Sequence, residues 1–285
     1  MSLPTKTPLR NVHMRALASV NDQLCLILFM HEDVASRWQE LATLRPAEFT
    51  SEVFPDNEFA DRIHVPMTRL LSFRDAQLNT SLGVSFAFAV EQLLLSIEAA
   101  IRHWGEIAQI PIKLADPIDE TLNQPLATNS ATPVEPSLLK TVKYLRLRRN
   151  HVIHGSTELS SEYSKLLKHD AAGLQRFWEA RSSIPGLSFA DKSPTAFSPS
   201  ETITLVKLIR VCIEEIDTNI ASQIRPDWIF KSLNAGLLRD RHELRVKNPV
   251  VVARRIRKVR HHSGVMYGLD VQASEIASAL GESLQ

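Results

Sequence analysis

Apolar positions recur at helical spacing along most of the chain. Residues 11–44 hold neither Gly nor Pro, and Val12, Leu17, Val20, Leu24, Ile27, Leu28, Val34, Trp38 and Leu41 fall mostly three or four apart. That period predicts a helix. Within it, "QLCLILFM" (23–30) is also apolar enough for one buried strand, and the pattern leaves that alternative open. Pro46, Pro55 and Pro66 predict an irregular stretch over 45–66. The longest helical stretch runs from about Met67 to Glu106. Its second half, "FAFAVEQLLLSIEAAIRHW", is apolar on most of its circumference, which predicts a central helix. Gly105 and Pro111 close it, and Pro111, Pro117, Pro125, Pro133 and Pro136 predict an extended or mobile loop over 111–136.

"PSLLKTVKYLRLRRNHVIHG" (136–155) carries helix punctuation at both ends. Ser137 is expected as N-cap, and Gly155 stands where a left-handed residue ends a helix. Leu138, Val142, Leu145, Val152 and Ile153 are its expected buried stripe. A helix near Glu158–Arg181, a Pro/Ser loop (182–200) and a helix over 201–224 follow. The expected division is therefore an N-terminal helical extension (1–66), a compact helical domain (67–224) and a basic C-terminal region (225–285). The last begins with eleven Lys and Arg between 225 and 262, against Asp227, Asp240 and Glu243. Its final "SEIASALGESLQ" resembles the first helix and turn of a helix-turn-helix unit, with no recognition helix after it.

Composition sharpens this picture in three ways. Nine glycines in 285 residues leave few strand turns, which favours an all-α fold. A net charge of +1 confines any nucleic-acid contact to local patches. Cys25 and Cys212 sit among apolar residues and are expected as buried free thiols, which suits a cytoplasmic setting. The run "LCLILFM" is too short to span a bilayer, and no membrane or targeting segment is expected.

The chemistry concentrates in "RLRRNHVIHG" (146–155), where three arginines and two histidines share one stretch with no acidic residue from Lys140 to Thr157. An anion is the expected counterpart. Arg149-Asn150-His151-Val152-Ile153-His154-Gly155 resembles the signature of the HEPN superfamily (higher eukaryotes and prokaryotes nucleotide-binding): an Arg, usually followed by a polar residue, then four to six positions to a His. The architecture of roughly 67–224 is also similar, and the resemblance makes that domain a HEPN-like helical bundle. Arg148 with His154, and Arg146 with His151, satisfy the same spacing, but the polar residue after Arg149 favours the Arg149/His154 pair. The resemblance implies a metal-independent endoribonuclease with a composite site in a homodimer, of the kind found in bacterial toxins and anti-phage effectors. Arg149 and His154 would be catalytic, with Asn150 in support. The implied partners are RNA, a second copy and an antitoxin or defence protein.

Residue chemistry points the same way. Cleavage by the RNA's own 2′-hydroxyl needs a base, an acid and charge stabilisation. Imidazole serves either proton role near neutrality, and a guanidinium grips phosphate bidentately. No metal or other cofactor is required. On a straight helix Arg149 and His154 lie ~140° apart, whereas Asn150 shares a face with His154 and would orient it. A partner helix would therefore complete the site. Arg146, Arg148, His151, Arg254, Arg255, Arg257 and Lys258 are the candidate RNA contacts. The plain alternative is a basic helix end that satisfies its own carbonyls, or a non-catalytic nucleic-acid-binding protein. His151 and His154 are also spaced as half a metal site, but no third ligand stands at a telling distance, and "RHELR" (241–245) is not a zincin motif. His103, His261 and His262 are expected to be structural or surface residues.

Overall fold

The computed structural model describes residues 2–123, 133–155, 158–181, 187–190, 193–240 and 248–281, without the side chains of 239 and 240. Among them the chain is all-α. It forms α1 (Arg10–Leu44), α2 (Thr50–Val53), α3 (Glu58–Ile63), α4 (Met67–Ala108), α5 (Pro136–His154), α6 (Ser161–His169), α7 (Ala171–Arg181), α8 (Pro199–Ser222), α9 (Pro226–Asp240), α10 (Pro249–Tyr267) and α11 (Ala273–Leu280). The described residues contain no strand, only an isolated antiparallel bridge between Phe49 and Pro66. "QLCLILFM" is thus helical: it lies inside a Gly- and Pro-free stretch that propagates as 35 residues of α1.

Local chemistry sets most of the ends. The 45–66 stretch is less irregular than its prolines suggest. Asn57 caps α3 by accepting from the Phe59 and Ala60 amides, and His64 closes it with φ 42°. The start of α5 corrects the expectation for Ser137. Glu135 Oε2 accepts from the Leu138 amide at 3.0 Å, so the cap lies two residues earlier and Pro136 opens the helix. Gly155 has φ +59° and ends α5 as expected. The helix expected near 158–181 divides at Asp170, with Ser160 capping α6 through the Tyr163 amide. Part of the expected loops at 111–136 and 182–200, the "RHELR" segment, and Arg241, Arg245 and Lys247 lie outside the described residues.

The chain forms two compact units that interleave in sequence. One comprises 1–16, 91–143 and 209–285; the other comprises 17–90 and 144–208. The unit boundaries fall inside α1, α4, α5 and α8, not at residues 66 and 224.

In the first unit, Trp104, Val142, Ile220, Phe230, Ile256 and Tyr267 are among the buried residues. The last three helices pack pairwise. The N-terminal segment is tied down by buried Asp217, which accepts from the amide and hydroxyl of Thr7 at 2.9 and 2.5 Å. Burial raises the Asp217 pKa, and the Thr7 bonds oppose that shift.

The second unit buries Leu82, Phe86, Tyr144, Tyr163, Trp178, Phe189 and Leu205. A smaller cluster joins Ala42, Val65, Met67 and Leu70, with Trp38 and Phe54 against it.

The 42-residue α4 is long and apolar enough to cross a bilayer. In this fold 56% of its most apolar window is buried, as in the central helix of a helical assembly. Cys212 is buried, whereas Cys25 is exposed, contrary to expectation: it lies on the side of α1 that also exposes Leu26 and Phe29, one position from fully buried Leu24.

Candidate functional site

The second half of α5 carries the Arg/His cluster, and helical rotation sorts its members into inward and outward groups. Leu138, Val142 and Leu145 are buried, as their spacing predicts. The expected stripe fails further on. Val152 is half-buried and Ile153 is 53% exposed. Tyr144, Leu147 and Arg148 take up the buried face there.

Arg148 has no exposed surface. Its Nη1 donates to Glu201 Oε1 at 2.6 Å and to the Tyr144 hydroxyl at 3.2 Å, and its Nε donates to the Pro194 carbonyl at 3.0 Å. The guanidinium carbon lies 4.6 Å from the ring centre of Phe197 and 5.5 Å from that of Phe86. Burial alone would lower its pKa, but the Tyr144 oxygen and Glu201 hold it above the ordinary value. The same burial raises the Tyr144 pKa.

Arg146 is also buried, with Nη2 3.7 Å from Glu162 Oε1. Arg146 and Arg148 thus face carboxylates of the same chain. The acid-free stretch from 140 to 157 does not imply an external anion for them. Its acids come from α6 and α8, distant in sequence. As RNA contacts, Arg148 and Arg146 are corrected: their charged ends have little or no surface to offer.

Arg149 lies half-buried one step round the helix, and its Nη1 donates to Asn150 Oδ1 at 3.0 Å. Asn150 thus engages the guanidinium rather than orienting the His154 ring. His154 is exposed in the last residue of α5, next to Gly155. His151 is half-buried, its ring 6.4 Å from that of Tyr163. Gly83 of α4 admits α5: a Cβ there would lie 3.4 Å from Val152 Cγ1 and 3.2 Å from the Phe197 ring. The residues that follow, Val84 and Ile153, are both exposed apolar side chains. The structure therefore brings Arg149 and Asn150 together and leaves His154 at an open helix end.

The remaining candidates lie on α10, which contains no acidic residue. Arg254 and Arg257 are exposed, and Lys258 is half-buried. Arg255 is buried beside Ile256 and Val259, so it is corrected as a surface contact, and burial lowers its pKa. His261 and His262 are exposed. His103 is mostly buried and bonds the Tyr267 hydroxyl through Nε2 at 2.9 Å. Burial lowers the His103 pKa and raises that of Tyr267 to about 12. Among the described residues no three His, Cys, Asp or Glu side chains converge as a metal site.

Glu201, Glu162, Phe86 and Phe197 were not foreseen. Glu201 stands 53 residues from its partner, and no local pattern signals such a pairing. No family model matches the chain, and no curated protein or solved structure matches it.

Proposed function

We propose that the chain is a metal-independent endoribonuclease, in which Arg149 grips the scissile phosphate and His154 transfers the proton. The observation that carries this reading is the place of Arg149 and His154 at the surface-bordering end of α5. Arg148 is committed to Glu201 inside the fold. Of the alternative pairings for His154, Arg149 is the arginine that borders the surface, held by the residue that follows it. A guanidinium and an imidazole at one helix end supply two of the elements that 2′-hydroxyl attack requires.

A homodimer supplies the rest. Their ~140° separation keeps the two groups from closing on one phosphate within a single helix, and a two-fold axis beside the end of α5 doubles both. Exposed Val84 and Ile153 provide apolar surface for such a contact. A cytoplasmic toxin or anti-phage effector restrained by an antitoxin is the setting this activity fits, since unrestrained RNA cleavage is damaging to its host.

A second reading rests on α10, a helix without acidic residues, whose exposed Arg254, Arg257 and Arg260 suit phosphate binding without cleavage. Purified protein incubated with RNA in EDTA separates the two. Cleavage abolished by Arg149→Ala and by His154→Ala supports the nuclease. Binding that weakens steeply with salt, without cleavage, supports the second reading.

A further inference from the structure

We infer that the cleft between α1 and α4 in the second unit is a binding site for a small monocarboxylate with a hydrocarbon body, independent of the Arg149/His154 site. The cleft encloses about 440 Å³. That lies within the range of small-molecule pockets, which are mainly apolar with a few converging polar groups. Its walls fit this description. Ile27, Val34 and Trp38 come from α1 and Leu70 from α4, so the hydrocarbon would be held between two helices. Met30 and Phe73, 56% and 41% exposed, form part of its rim.

The polar groups select the headgroup. His31 lines the cleft, and its Nε2 has no solvent contact and no hydrogen-bond partner. The nearest carboxylate, Asp75 Oδ1, is 3.9 Å away, too far for a hydrogen bond. A buried ring nitrogen left in this way costs stability until an atom meets it. Arg74 also lines the cleft, and no acidic side chain does. The carboxylate that balances Arg74 is Asp75, which is 63% exposed on its outer side. Arg74 is thereby spent, its Nη1 donating to the Ala35 carbonyl at 3.3 Å, so His31 selects the headgroup: a carboxylate on an apolar body accepts the bond that the orphaned Nε2–H donates. A plain hydrocarbon would satisfy only the walls, and an alcohol would meet Nε2 with a weaker, uncharged hydrogen bond.

Trp38 gives a direct readout, because it lines the cleft. Decanoate titrated into the full chain below its micellar concentration should change tryptophan fluorescence saturably, with one site per chain by calorimetry. Decanol should bind at least about tenfold more weakly, the loss expected when a charge-assisted hydrogen bond is removed. His31→Phe should weaken decanoate by a similar factor, and His31→Gln, which retains a donor, should recover part of it. Met30→Glu, at an exposed rim position, should repel decanoate while leaving the far-ultraviolet circular dichroism unchanged. Three results would overturn the inference: no saturable binding, equal binding of decanol and decanoate, or unchanged affinity in both His31→Phe and Met30→Glu. Self-association of the ligand-free protein that Met30→Glu disrupts would overturn it too, by assigning the cleft to a second copy.

Discussion

Replacing Glu201 by Ala should be among the most destabilising single changes in the protein. The substitution leaves the Arg148 guanidinium charged in a place with no exposed surface, where Glu201 itself is only 8% exposed. Removing one partner of a buried pair costs roughly 3–5 kcal/mol, because the remaining charge is stranded. The surroundings place this case at the lower end. Arg148 keeps the Tyr144 hydroxyl at 3.2 Å and the Pro194 carbonyl at 3.0 Å. It also keeps the Phe197 and Phe86 rings, and a desolvated cation over an aromatic face is worth up to ~2 kcal/mol. The expected loss is therefore about 3 kcal/mol. Arg148→Met should cost a comparable amount by stranding the carboxylate. The double variant Arg148→Met/Glu201→Leu leaves no charge behind, so it should lose less than the sum of the singles. Urea unfolding followed by circular dichroism at pH 7 measures all four proteins. A loss below about 1 kcal/mol in both single variants, or a double variant that loses their full sum, would refute the account of Arg148 as an internally paired residue.

Three further outcomes are expected. Gly268→Ala should cost at least about 1–2 kcal/mol in the same assay, since Gly268 has φ +67° and a Cβ would collide with the Thr5 side chain. The buried His103 has a lowered pKa, so the unfolded chain takes up its proton first. Its contribution to stability is fully present above the unfolded value of about 6.5 and is lost as pH falls toward the folded one. His103→Gln should therefore flatten the fall in urea midpoint between pH 7.5 and 5, and an unaltered slope would count against this assignment. Arg149→Ala and His154→Ala, each inactive alone, should recover part of the RNA cleavage when mixed, since a mixed dimer retains one intact Arg and one intact His; full activity in a protein that sediments strictly as a monomer would exclude the shared site.

The long helices α1, α4, α5 and α8 were legible along the chain, because what forms them acts within a turn or two; the short α2 and α3 and the break at Asp170 were not. Spacing of three and four sets an apolar face, and Gly155 ends α5 because a left-handed residue there needs no Cβ. The length of α4 followed from the same local terms. The candidate pair Arg149 and His154 came instead from the resemblance of "RNHVIHG" to a family signature. Packing, in contrast, set which charges are held inside. Arg146 and Arg148 look like surface charges in sequence, yet Glu162 and Glu201 face them, and the rings of Phe86 and Phe197 complete the enclosure of Arg148. Those partners lie on other helices, at separations where periodicity carries no information. The same holds for Cys25 and Ile153, apolar in context but outward-facing, since exposure depends on whether another element covers the face. The cap of α5 likewise depended on which side chain meets the Leu138 amide, and that is Glu135, not Ser137. A helix is a local equilibrium, whereas burial of a charge is a contract among distant residues that only packing can write.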